Sequence, residues 1–131
     1  MLNGLAGSVI VNPVSVNATG SIVGFCQDAS NQTPVMWANA NASPQVLPLP
    51  SGQSMIGPYY AASINSAGVI AGSVGNGYGG GECTVWKNDQ VQDIAVLTNN
   101  FSLGEAKLIT DSGWILGTAY YGYNQYILIP R

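Results

Sequence analysis

One short pattern occurs three times in this 131-residue chain. It reads ASINSAGVIAG at residues 62–72, VSVNATGSIVG at 14–24 and LITDSGWILG at 108–117. Each copy is an apolar run, a polar turn closed by Gly, three mostly apolar residues and a second Gly. The first Gly supplies the positive φ that such a turn requires. Alternation of apolar and polar residues before the turn marks a half-buried strand, and the run after it marks a second. An internal repeat of strand, turn and strand constrains the fold more than any other feature.

Read in order, the first repeat offers strands at 13–17, 21–27, 34–38 and 45–49, the last carrying Pro48, which suits an edge. The second offers strands at 59–65, 69–74, 83–87 and 91–97. The third offers 106–110, 114–119 and 126–129, and is one strand short. A spare strand at residues 5–11 precedes the first repeat, so the economical expectation is that it crosses over to complete the last sheet and remove an unpaired edge. No segment has a convincing helical period.

The expected fold is therefore all-β and a single domain over residues 1–131: repeats at about 13–58, 59–104 and 105–131, with 5–11 added to the third. A β-propeller-like arrangement ranks first and a β-trefoil or β-prism second. Four-stranded blades usually form rings of about four to eight. Three units therefore point to a closed three-bladed body, to pairing of two copies as a homo-oligomer, or to a fragment of a larger propeller.

Composition agrees. Hydrophobic residues make up 47% and charged residues only 7% of the chain, with 17 glycines, which suits short strands between Gly and Asn turns. The net charge of −3 rests on three cations, Lys87, Lys107 and Arg131. A nucleic-acid partner, which needs clustered cations, is excluded. No apolar run approaches the roughly 18 residues of a membrane helix, so membrane insertion is not expected, and the N-terminus lacks signal-peptide character. Cys26 and Cys83 fall at inequivalent repeat positions, which favours two buried free thiols over a disulfide.

The copy ASINSAGVIAG followed by CTVWKNDQVQDIAVL, and SVNATGSIVG followed by PVMWANA, resemble the HAF extracellular repeat family. Its consensus runs A-x-x-I-N-x-x-G-x-V-V-G, then a loop, then A-F-x-W. The third copy matches only to Gly117, with Ile129 where the tryptophans stand. The resemblance implies an extracellular or cell-surface setting and propeller-like repeats, and little about biochemistry.

Chemistry is sparse. With no His, the usual triads and imidazole acid–base work are absent. The carboxylates Asp28, Glu82, Asp89, Asp93, Glu105 and Asp111 read as solvated surface charges, and no zinc spacing exists. A calcium site over 76–82 has too few acidic ligands. The glycine-rich stretch 75–82 lacks the Lys and Ser/Thr of a phosphate loop. No enzyme activity and no cofactor or metal are expected. The loops between second and third strands should share one face, and they carry Asn76, Tyr78, Tyr121, Tyr123 and Asn124. Tyr and Asn can stack on a sugar and bond its hydroxyls. With Trp37 and Trp86, which recur at one repeat position, they form the candidate site of a glycan-recognition module. The rival expectation is a structural, self-assembling module with those tryptophans as packing residues.

Overall fold

The computed structural model describes residues 1–51, 60–75, 80–99, 103–119 and 124–130. Among them are three antiparallel sheets. The first contains β1 (Ile10–Val16), β2 (Ile22–Gln27), β3 (Gln32–Trp37) and β4 (Gln45–Val46), paired in that order. The second contains β5 (Tyr60–Ile64), β6 (Ile70–Gly75), β7 (Gly81–Lys87) and β8 (Gln90–Asp93). The third contains β9 (Leu103–Ile109), β10 (Ile115–Ala119) and β11 (Gln125–Leu128), with β10 central. A single helical turn, α1 (Ile94–Thr98), follows β8. A strand was expected to run on to residue 97. It stops at Asp93, and the chain coils back so that Ile94 packs against the core between the second and third sheets.

The repeated pattern is a hairpin in each sheet. Gly20, Gly68 and Gly113 close the turns at φ 86°, 78° and 86°. Every copy also carries the same defect in pairing. Register slips by one residue at Val14, Ala62 and Lys107, each a β-bulge opposite the second Gly of its copy: Gly24, Gly72 and Gly117. The bulge drives backbone into the glycine. A Cβ on Gly24 would lie 2.0 Å from the Asn12 carbonyl oxygen, and one on Gly72 would lie 2.2 Å from that of Tyr60. The second Gly is thus a requirement of the bulge, not of the turn. The hairpin joining β7 to β8 is tight by another route, with Asn88 and Asp89 both at positive φ, the signature of a two-residue type I′ turn.

The sheets stack face to face, with the second in the middle. Val23 and Met36 on one face of the first sheet meet Ile64, Ile70, Val74 and Trp86 on the second. Ala71, Cys83 and Val85 on the opposite face of the second sheet meet Ala106, Ile109, Ile115 and Leu128 on the third. β9 packs on β5, β6 and β7, and β5 packs on β1, β2 and β3. These dry, apolar contacts are the core, and the sheets are open at their edges.

Residues 5–11 do not complete the third sheet, contrary to the expectation from sequence. Strand structure begins at Ile10 and pairs with β2, and Leu2 and Leu5 pack on the free face of the first sheet beside Cys26, Val35 and Trp37. The reason is local. The indole N–H of buried Trp37 needs an acceptor, and the Asn3 carbonyl takes it at 2.8 Å. The third sheet lies at the other end of the stack, and among the described residues it keeps three strands. A second correction concerns the third repeat. Trp37 pairs with Ile22 and Trp86 with Ile70, whereas Ile115 pairs with Leu128. Leu128, not Ile129, therefore stands where the tryptophans do.

Candidate functional site

Three features concentrate polar groups, and each lies where one unit meets the next. The first is a row formed by the three repeat turns. The Asn17 side-chain oxygen accepts from the Thr19 and Ser21 amides, at 3.1 and 2.9 Å. The Asn65 oxygen accepts from Ala67 and Val69 at the same two distances. Each asparagine thus braces its own turn, as short polar side chains do. The amide group points the other way. Asn17 Nδ2 donates to the Asn65 carbonyl at 3.0 Å, and Asn65 Nδ2 donates to the Thr110 carbonyl at 3.1 Å. One residue per repeat therefore shapes a turn and ties it to the next. Thr110 keeps half of this role, accepting from the Trp114 amide through Oγ1 at 3.0 Å. Ser66 adds a rung by donating its amide and hydroxyl to the Asp111 carboxylate. These bonds hold the exposed Asp111 carboxyl below the usual range, as the amides of Ser30 and Asn31 do for Asp28.

The second feature is a half-open cleft of about 270 Å³ between the first and second units. Its floor is apolar, with Met36, Leu47, Pro48, Ile64 and Ile70 beside Trp86, and its rim carries Ser21 and the hairpin residues Lys87, Asn88 and Asp89.

The third is a cluster joining the second and third sheets. The Tyr60 hydroxyl donates to Glu105 Oε2 at 2.7 Å, and Lys107 Nζ bonds both the Tyr60 oxygen and the same carboxylate. Burial pushes the Glu105 carboxyl up, but the bonds from Lys107 and Tyr60 together outweigh it and leave it below its ordinary value. Burial raises Tyr60. Burial also pushes the Cys83 thiol up to about 11. A tyrosine base or a cysteine nucleophile would need shifts of the opposite sign. The cluster is a tie between sheets with a pH dependence of known sign. A depressed carboxyl adds stability above 4.5, its unfolded value, and loses it as pH falls through the lower folded value. Melting temperature should fall on acidification below that point, and Glu105→Gln should flatten part of the fall. Asp28 and Asp111, whose carboxyls are also held low, contribute to the same fall, so an unchanged profile in Glu105→Gln would remove Glu105 from this role.

Of the seven residues that sequence reasoning grouped, the structure describes Trp37, Trp86 and Asn124. Trp37 and Trp86 are buried to 0% and 2% exposure, with their indole N–H groups donating to the Asn3 and Pro48 carbonyls. Their rings lie in the core at the two ends of the first unit. Asn124 is exposed just before β11, and its carbonyl accepts from the Ala119 amide at 2.8 Å. Asn76, Tyr78, Tyr121 and Tyr123 lie outside the described residues. Both cysteines are buried free thiols. Among the described residues no three metal-ligating side chains gather, and no helix is long and apolar enough to cross a membrane. Sequence reasoning missed the double duty of Asn17 and Asn65, although its signal was present: Asn at the same place in two turns. Compared with family models, with curated proteins and with solved structures, the chain matches none.

Proposed function

We propose that the chain is a non-catalytic structural module whose working surfaces are sheet faces. One observation carries this reading: the recurring tryptophans, the residues best suited to hold a ligand, are taken up in packing, Trp86 between the first two sheets and Trp37 beneath the N-terminal segment. Titratable groups point the same way, since Lys107, Tyr60 and Cys83 are all shifted away from their deprotonated, reactive forms. The propeller-like arrangement, the HAF likeness and the extracellular setting that it implies belong to the same proposal. The regular advance from one sheet to the next supports the first of these.

A second reading, recognition of a glycan, is favoured by the cleft beside Trp86, whose apolar floor and polar rim would suit one sugar ring. A glycan array followed by calorimetry separates the two. The structural reading expects no glycan retained above background. Binding that disappears in Lys87→Ala, with an unchanged melting curve, would overturn it in favour of the cleft. Lys87 is the better probe because Asn88 and Asp89 hold strained turn conformations.

A further inference from the structure

The two sheet-to-sheet contacts obey one rule, and the third sheet is left with the unsatisfied half of it. In the first sheet, Val23 and its partner Met36 face the next unit. In the second, Ala71 and its partner Val85 do the same. The corresponding pair in the third sheet is Leu116 and Ile127, with Leu108 opposite Leu116 on β9. No described residue covers this row: Ile127 is 59% and Leu108 46% exposed, and Trp114 and Ile129 lie open at the strand ends. A patch of this kind marks an interaction surface.

The other end of the stack is its complement. Ile64 and Ile109, which close the turn-side corner of each buried contact, are 5% and 7% exposed. Val16 holds the same place in the first unit and is 62% exposed. The carbonyls of Asn65 and Thr110 each accept a side-chain amide from the preceding unit, whereas that of Asn17 receives the Gly20 amide alone among the described residues. The first sheet is otherwise dressed as an internal one. Leu2 and Leu5 lie over Trp37, with the Asn3 carbonyl on its indole, as Leu47 and Leu49 lie over Trp86 with the Pro48 carbonyl.

Resting on the structural reading, we propose that the Leu108–Leu116–Ile127 face of one copy docks on the Val16 end of a second copy, in the register that already joins the three units. The occupant is argued from continuity. A sheet of this repeat is what covers the equivalent face twice within the chain, and a second copy offers such a sheet with its corner open. The contact is heterologous, so it closes into a six-sheet ring or grows into a chain. It lacks one element of the internal contacts. Thr110 has no amide to give to Asn17, so the new joint is weaker than the built ones.

That deficit supplies the test. Light scattering of the full chain up to about 1 mM, a limit set by weak complexes, should show mass rising with concentration. Thr110→Asn restores the missing rung and should tighten association about fivefold, the worth of one hydrogen bond. Leu116→Lys and Val16→Lys should each be monomeric alone, although each lowers the net negative charge and with it the repulsion between copies. Mixed, they should form a 1:1 pair, because each retains the half that the other has lost. Melting curves check that the variants fold, and Ile127→Lys replaces Leu116→Lys if it does not. A monomer throughout, association undisturbed by the lysines, or no pair on mixing overturns the docking proposal. None of these outcomes bears on glycan binding, so the structural reading stands or falls separately.

Discussion

Trp86→Ala should cost about 4 kcal/mol of folding stability, in the range for emptying a buried tryptophan site. The ring fills the boundary between the first and second units with Val23, Leu47, Ile64 and Ile70 around it. Removing it leaves a void where two sheets meet, and it strips the Pro48 carbonyl of its 2.7 Å donor. Trp86→Phe divides the two losses. It keeps most of the apolar volume and forfeits the N–H, so its cost should be nearer 1–2 kcal/mol, the price of one unpaired buried carbonyl. Trp37→Ala is the informative contrast. Trp37 is as deeply buried, but an N-terminal segment covers it, not a whole sheet. That segment can collapse or fray, so the loss should be smaller. Urea midpoints with slopes compared across the three variants measure this. A Trp86→Ala variant within about 1 kcal/mol of the parent would show that the boundary does not depend on the ring.

The repeat was legible because its physics is local. Turn glycines and strand alternation place all eleven described strands within about four residues, and Gly20, Gly68 and Gly113 take the positive φ that the pattern demands. What sequence could not supply was the order of the sheets in space. Residues 5–11 look like a spare strand, and the third repeat lacks one, so joining them is the economical answer. Economy fails because a competing site lies nearer: the bare face of the first sheet, with an indole donor to satisfy. The end of the third repeat was misread for a related reason. Ile129 comes nearest to the motif spacing of Trp37 and Trp86, but the third hairpin is shorter from its first strand to the paired position, so Leu128 and not Ile129 comes into register with Ile115. Hairpin length decides register. The candidate site was the least legible part. Recurrence of Trp37 and Trp86 is a true signal, but recurrence arises equally from a shared ligand and from a shared packing problem. Burial decides between them, and burial is set by contacts between repeats. The pair Asn17 and Asn65 recurs as well and was read only as turn chemistry, since nothing in one strand's sequence shows which neighbour an amide will reach.

Gly72→Ala should cost about 3 kcal/mol or more, the upper range of overpacking costs. The two glycines of the repeat look alike in sequence but carry different physics. Gly68 sits at φ 78° with open space where a Cβ would go, so Gly68→Ala meets only backbone strain, about 1 kcal/mol. Gly72 has no such φ. Its would-be Cβ lies 2.2 Å from the Tyr60 carbonyl oxygen, 2.9 Å from the Ala61 Cα and 3.1 Å from the Ala62 amide nitrogen. All three contacts are backbone, so no side chain can rotate away. The bulge at Ala62 would have to open, and it lies on the strand that faces both neighbouring sheets. Opening it disturbs Ala61 and Ile64 on one side and the Ser63 hydroxyl, which accepts from the Ile109 amide, on the other. Paired denaturation curves for Gly68→Ala and Gly72→Ala test the distinction directly. If the second variant is no less stable than the first, close approach at the bulge is not why the repeat ends in glycine.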